Sequence, residues 1–231
     1  MVYNTNIKSN GRVRCKVKKT LYSLMLNDEV VREVDAMAHR LGTNRSNLIN
    51  EILAEYVNYT TPERRINDIL STIQDLMQPS GDLIPFFAPH TYSMSLKSSL
   101  EYKYRPTIKY EVELFKGGED AIGALSVLFR TQSPTLIEGM TDFFRLWKSI
   151  EDAHLARKLG ERIEYTLYEG KFVRSISVPD RACNSEELAR AIAEYIRLFD
   201  KLMKGWLTGR YDAHAVEAAY YSYLTNTDIH F

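Results

Sequence analysis

Between residues 28 and 77, apolar side chains recur every three or four positions, the beat of helices with one buried face. Val30, Val31, Val34, Met37, Ala38 and Leu41 mark a first helix over 28–41. Leu48, Ile49, Ile52, Leu53 and Tyr56 mark a second over 45–58, and Ile66, Ile69, Leu70, Ile73, Leu76 and Met77 a third over 66–77. Residues 18–26, ahead of the first helix, read as a short strand. From Tyr92 the period shortens to two. Tyr92, Met94, Leu96, Leu100, Tyr102 and Tyr104 alternate with Ser, Lys and Glu; after Arg105-Pro106, Ile108, Tyr110, Val112 and Leu114 alternate with Lys109, Glu111 and Glu113. Two adjacent runs of this kind predict an antiparallel hairpin with one solvated face.

Further along, Gly117-Gly118 turns the chain into a strand near 121–130, and a helix over 135–159 is stopped by Gly160. Strands at 162–168 and 171–178 flank Glu169-Gly170. Helices near 185–207 and 211–224 follow, the first opened by Asn184 with Glu187 three residues on, a capping pair. The prolines at 79, 85 and 89, with Ser80-Gly81-Asp82, mark a domain boundary. The expected fold is α+β: a basic arm over 1–17, a strand-helix-helix module over 18–60, a helix and Pro-rich linker over 61–90, and over 91–231 an antiparallel sheet of about five strands covered by helices. Tyr92, Tyr102, Tyr104, Tyr110, Phe115 and Phe129 fall on strands and are read as core, with Trp147 and Trp206 as anchors of their helices.

Charge is unevenly spread. The chain carries 30 basic and 30 acidic residues, but residues 1–65 hold 11 and 7 of them, a surplus of four positive charges. Lys8, Arg12, Arg14, Lys16, Lys18 and Lys19 fall in the first twenty residues, which contain no acid. That is the balance of a basic arm on a neutral body. Cys15 and Cys183 make neither a disulfide framework nor a metal pattern, and no apolar run reaches the ~18 residues of a membrane span. A reduced, cytoplasmic protein without a signal peptide is expected. Glu151 with His154, and His214 with Glu217, stand at i,i+3 like half of a carboxylate-bridged metal site. The further Glu ligands of a four-helix bundle are missing, so these histidines are read as polar-face residues. No phosphate loop, nucleophile elbow or zinc spacing occurs. The expectation is a protein without catalytic residues, metal or cofactor.

The most informative stretch runs from Lys18 to Tyr59. A strand and two amphipathic helices in about forty residues cannot bury their own apolar faces. Two copies solve the problem: their strands pair as a ribbon, and four helices close a shared core. Such a ribbon is narrow enough to enter the major groove. The run Leu24-Met25-Leu26-Asn27-Asp28-Glu29-Val30, followed by Gly42-Thr43-Asn44-Arg45-Ser46-Asn47-Leu48-Ile49, resembles the ribbon-helix-helix family, the class of the Arc, MetJ and CopG repressors. The resemblance covers residues 18–58.

It implies that Leu21, Ser23 and Met25 face the groove while Tyr22, Leu24 and Leu26 face inward. It also implies that the start of the second helix, at Thr43, Asn44, Arg45 and Ser46, holds a DNA phosphate, a role that free N–H groups and the helix dipole suit. Lys18 and Lys19 would add sequence-independent phosphate contacts. In one respect the chain departs from the family, whose groove-facing positions are usually polar or basic. Leu21 and Met25 can only read thymine methyls. The expected function is a transcriptional repressor that binds double-stranded DNA as a homodimer or higher oligomer, with a small-molecule or protein effector at the C-terminal domain. The alternative is an accessory interaction module, antitoxin-like or DNA-processing, that uses the ribbon-helix-helix mainly to dimerise.

Overall fold

The protein is described from a computed structural model covering residues 20–87, 91–100, 106–118, 120–159, 163–168 and 170–231. Asn27, in extended conformation, accepts the Glu29 N–H at 2.8 Å and starts helix α1, Asp28–Arg40. Asp28 and Glu29 in its first turn and His39 and Arg40 in its last complement the helix dipole. Gly42 takes the left-handed conformation, φ +63°, that ends a helix without Cβ strain. The Asn44 side chain then accepts the Asn47 N–H at 2.9 Å and opens α2, Arg45–Tyr56. Helix α3, Pro62–Met77, starts ahead of its apolar beat. Thr61 caps it, and Pro62 occupies a first-turn position where a missing N–H costs nothing.

Residues 20–27 carry no strand, against the expectation for 18–26. Ribbon strands bond to a second copy, and a single chain offers that backbone no partner. Beyond α3 and a short 3-10 turn at Gln78–Ser80, the chain builds one sheet. It comprises β1 (Leu83–Phe87), β2 (Ser93–Ser99), β3 (Thr107–Leu114), β4 (Ala121–Phe129), β5 (Tyr165–Tyr168) and β6 (Lys171–Ser177). All neighbours are antiparallel, in the order β1-β2-β3-β4-β6-β5. The α+β class is as expected, with six strands where about five were read. The extra strand is β1, in the stretch read as linker. Its Pro85 pairs with Leu96 and lies at the sheet edge, where a strand tolerates proline.

One face of the sheet carries Met94, Leu96, Ile108, Tyr110, Val112, Leu125, Val127, Phe172 and Ile176, all buried. Over it lie α3, α4 (Pro134–His154), α6 (Ser185–Leu207) and α7 (Ala213–Asn226). The chain breaks at Leu155, so the helix read as continuous over 135–159 ends in a separate turn, α5 (Ala156–Leu159). Ile66, Ile69, Leu70, Ile73 and Met77 of α3 belong to the same core cluster as the sheet and α6. Hence α3 is packed into the α+β body. The centre is aromatic: ring centroids lie 4.9 Å apart for Phe144 and Phe172, 4.8 Å for Trp147 and Phe199, and 5.4 Å for Phe143 and Phe199. Tyr110 and Phe129 are buried as expected, whereas Tyr92 and Phe115, at strand ends, are exposed; Tyr102 and Tyr104 lie outside the described residues. Among the described residues, no helix is long and apolar enough to cross a membrane.

Candidate nucleic-acid interface

Lys18 and Lys19, with the basic arm 1–17, lie outside the described residues. Of the groove-facing set, Leu21 is 96% and Met25 103% exposed, and Ser23 is exposed too. The inward set is less so: Tyr22 83%, Leu24 58% and Leu26 43%. Both sets are thus solvent-exposed in a segment that carries no strand.

At the start of α2, Thr43, Asn44, Arg45 and Ser46 come together on the surface. Asn44 is spent on the Asn47 N–H, which leaves the first N–H groups of the helix, at Arg45 and Ser46, without intrahelical acceptors. A cleft of about 410 Å³ adjoins this turn, walled by Thr43, Asn44 and Asn47 on one side and Thr61, Asn67 and Tyr92 on the other. Arg45 itself is engaged. Its Nε donates to Asp35 Oδ1 at 2.5 Å and its Nη2 to Asp35 Oδ2, a fork across the α1–α2 turn. That hydrogen bond, with the guanidinium charge behind it, holds the Asp35 carboxyl below the usual carboxylate range. Sequence reading missed this pair, because helix-face arithmetic treats Asp35 and Arg45 as independent surface charges.

The module is thinly packed. Across residues 20–60 only Ala38, Leu48 and Ala54 are buried, and Val30, Met37, Leu41, Ile52, Leu53 and Tyr56 of the two expected core stripes remain exposed. A second functional candidate, the Glu151–His154 and His214–Glu217 pairs, resolves differently. His154 Nε2 lies 2.7 Å from Glu217 Oε1, bridging α4 and α7, but Glu151 points into the core. There its carboxylate accepts from Tyr165 (2.7 Å), Tyr195 (3.0 Å), Tyr220 (3.0 Å) and Arg174 Nε (3.0 and 3.1 Å). Burial first, and the Glu151 charge second, push the Tyr165 and Tyr220 hydroxyls far above their ordinary value. A carboxylate so fully satisfied and enclosed is a structural device. Among the described residues no group of three or more His, Cys, Asp or Glu is placed to hold a metal ion. No family model, no curated protein and no solved structure matches this chain.

Proposed function

We propose that the protein is a dimeric, sequence-specific DNA-binding regulator whose residues 18–58 act as a ribbon-helix-helix module. The observation that carries this reading is the location of exposed apolar surface. Thirteen of the twenty large apolar side chains exposed among the described residues fall between Leu21 and Tyr59, next to a body whose core is closed. Surface of that extent marks an interaction site. A second copy is the fitting partner, since the same stripes on α1 and α2 then meet about a two-fold axis and residues 20–26 gain a strand to pair with. The basic arm ahead of the ribbon supplies what a major-groove reader needs to hold phosphate.

A second reading has one observation in its favour. The Asp35–Arg45 pair occupies the side chain meant for phosphate, which suits a module that dimerises without reading DNA. Selection of bound sequences from random duplex DNA with the full-length protein, at stated salt, separates the two. Enrichment of a two-fold symmetric motif by a species that light scattering finds dimeric supports the regulator. A dimer that enriches nothing supports the accessory module, and a monomer refutes both.

A further inference from the structure

A cleft of about 640 Å³ opens where the exit of α2, the N-terminus of α3, the β3–β4 turn and the β6–α6 loop converge. Its volume lies within the ~300–1,000 Å³ usual for ligand sites. The floor is apolar: Ile66, Ile69, Leu114 and Leu188 line it, and each is buried. The rim is cationic. Lys116 sits 2.9 Å from Glu63, and Arg181 sits 3.0 Å from Glu187. Arg65, the third rim cation, has no carboxylate partner among the described residues; its Nη2 reaches only the Cys183 carbonyl, at 3.4 Å. Among the described residues, the charged side chains that line the cleft are these three cations, two of them paired with a carboxylate. The N-termini of α3 and α6 add positive potential at the same rim.

We propose that this cleft binds a small amphipathic monocarboxylate, with the carboxylate at Arg65 and the apolar body on the isoleucine and leucine floor. Charge complementarity selects the ligand class. A purely polar anion would leave the floor wet, and a neutral apolar molecule would leave Arg65 unanswered. Tyr59, Thr60 and Pro62 line the cleft on the segment that joins α2 to α3, so an occupant touches the connection between the module and the α+β body. The role of effector site rests on the regulator reading, but the binding site does not.

Cys183 lines the same cleft and is half-buried, so it reports on occupancy. The test uses full-length protein carrying Cys15→Ser, which leaves Cys183 as the only thiol. Its reaction with a chromogenic disulfide is followed at mildly alkaline pH, with naphthalene-2-carboxylate or the neutral naphthalene-2-methanol as probe. At about ten times its Kd the carboxylate should slow the reaction about tenfold, as one-site occupancy requires. The alcohol should not. Arg65→Gln should abolish the protection and Arg65→Lys should restore part of it, each judged by its own ratio with and without probe. Equal protection by acid and alcohol, no protection, or full protection in Arg65→Gln overturns the proposal. None of these readouts involves DNA. Protection in a protein that selects no DNA sequence would sustain the site and sink the regulator.

Discussion

Arg45, at the first turn of α2, is gripped through both Nε and Nη2 by Asp35, ten residues earlier on α1. Both side chains are about half exposed, so water screens the pair and a phosphate group can compete for the guanidinium. Within the proposed function, Asp35 restrains DNA binding. Asp35→Asn should tighten binding to all duplex sequences alike and steepen the salt dependence by about one phosphate contact, while Arg45→Ala should do the reverse. Anisotropy titrations on specific and random duplexes at several salt concentrations check this. If neither change moves the affinity, the turn does not touch phosphate.

The register of residues 20–26 can be decided by two truncations. Within the proposed function, Leu24→Ala should loosen the dimer in concentration-dependent sedimentation, because Leu24 is then an inward side chain of the shared core. Met25→Ala should leave the dimer intact and alter preference at one base step by about 1 kcal/mol, if the thioether packs on a thymine methyl. The opposite outcome would shift the register by one residue and exchange every groove-facing assignment.

Glu151 and Arg174 are both fully buried, with Nε 3.0 Å from Oε2. The guanidinium also donates to the Ser175 carbonyl at 3.1 Å and the Phe231 main-chain oxygen at 2.5 Å. Burial works most strongly against the Arg174 charge, but the Glu151 carboxylate together with Tyr195, Tyr165 and Tyr220 outweighs it, so its pKa is raised. Breaking such a pair strands a buried charge. Arg174→Met should therefore cost about 3–5 kcal/mol in urea unfolding. The double variant Glu151→Leu with Arg174→Met should be less destabilised than the sum of its singles, since it strands neither charge. Additive losses would mean that packing, and not charge pairing, sets the cost.

The N-terminus of α6 carries a complete capping box. Asn184 accepts the Glu187 N–H at 2.8 Å, and Glu187 returns the bond to the Asn184 N–H at 2.9 Å. Asn184→Ala should cost about 1 kcal/mol. The backbone N–H, with Arg181 in support, lowers the Glu187 pKa on folding. The sign follows: its contribution is fully present above the ordinary carboxylate value and disappears as pH falls through the lowered one. Glu187→Gln should flatten that acid-side loss in urea titrations from neutral pH downward. An unchanged acid slope would show that the carboxylate leaves the box before the helix unfolds.

Regular periods were legible wherever one element had one wet face. The β2–β3 alternation, the stripes of α1, α2 and α3 and the capping pair at Asn184 all stand in the sequence, because side-chain direction repeats every 2.0 or 3.6 residues and a cap needs only local atoms. Strand β1 was not legible. Leu83-Ile84-Pro85-Phe86-Phe87 has no alternation and a proline, and it becomes a strand only because β2 offers it an edge. The first turn of α3 escaped for the opposite reason: residues 62–65 are polar or proline, so no apolar beat announces them.

For the candidate interface, the sequence by itself determined the two helices, the turn at Gly42 and the clustering of basic residues ahead of them, all of which depend on neighbours within a few positions. Tertiary structure alone decided that Asp35 holds Arg45, that Arg174 of β6 meets Glu151 of α4 in a buried charge cluster, and that Arg65, Lys116 and Arg181 meet around one apolar floor. Each of those joins residues that no period relates. Residues 18–26 fall between the two. A strand was read there from the chain, but a ribbon would need a second set of backbone N–H and C=O groups, which a single chain does not supply.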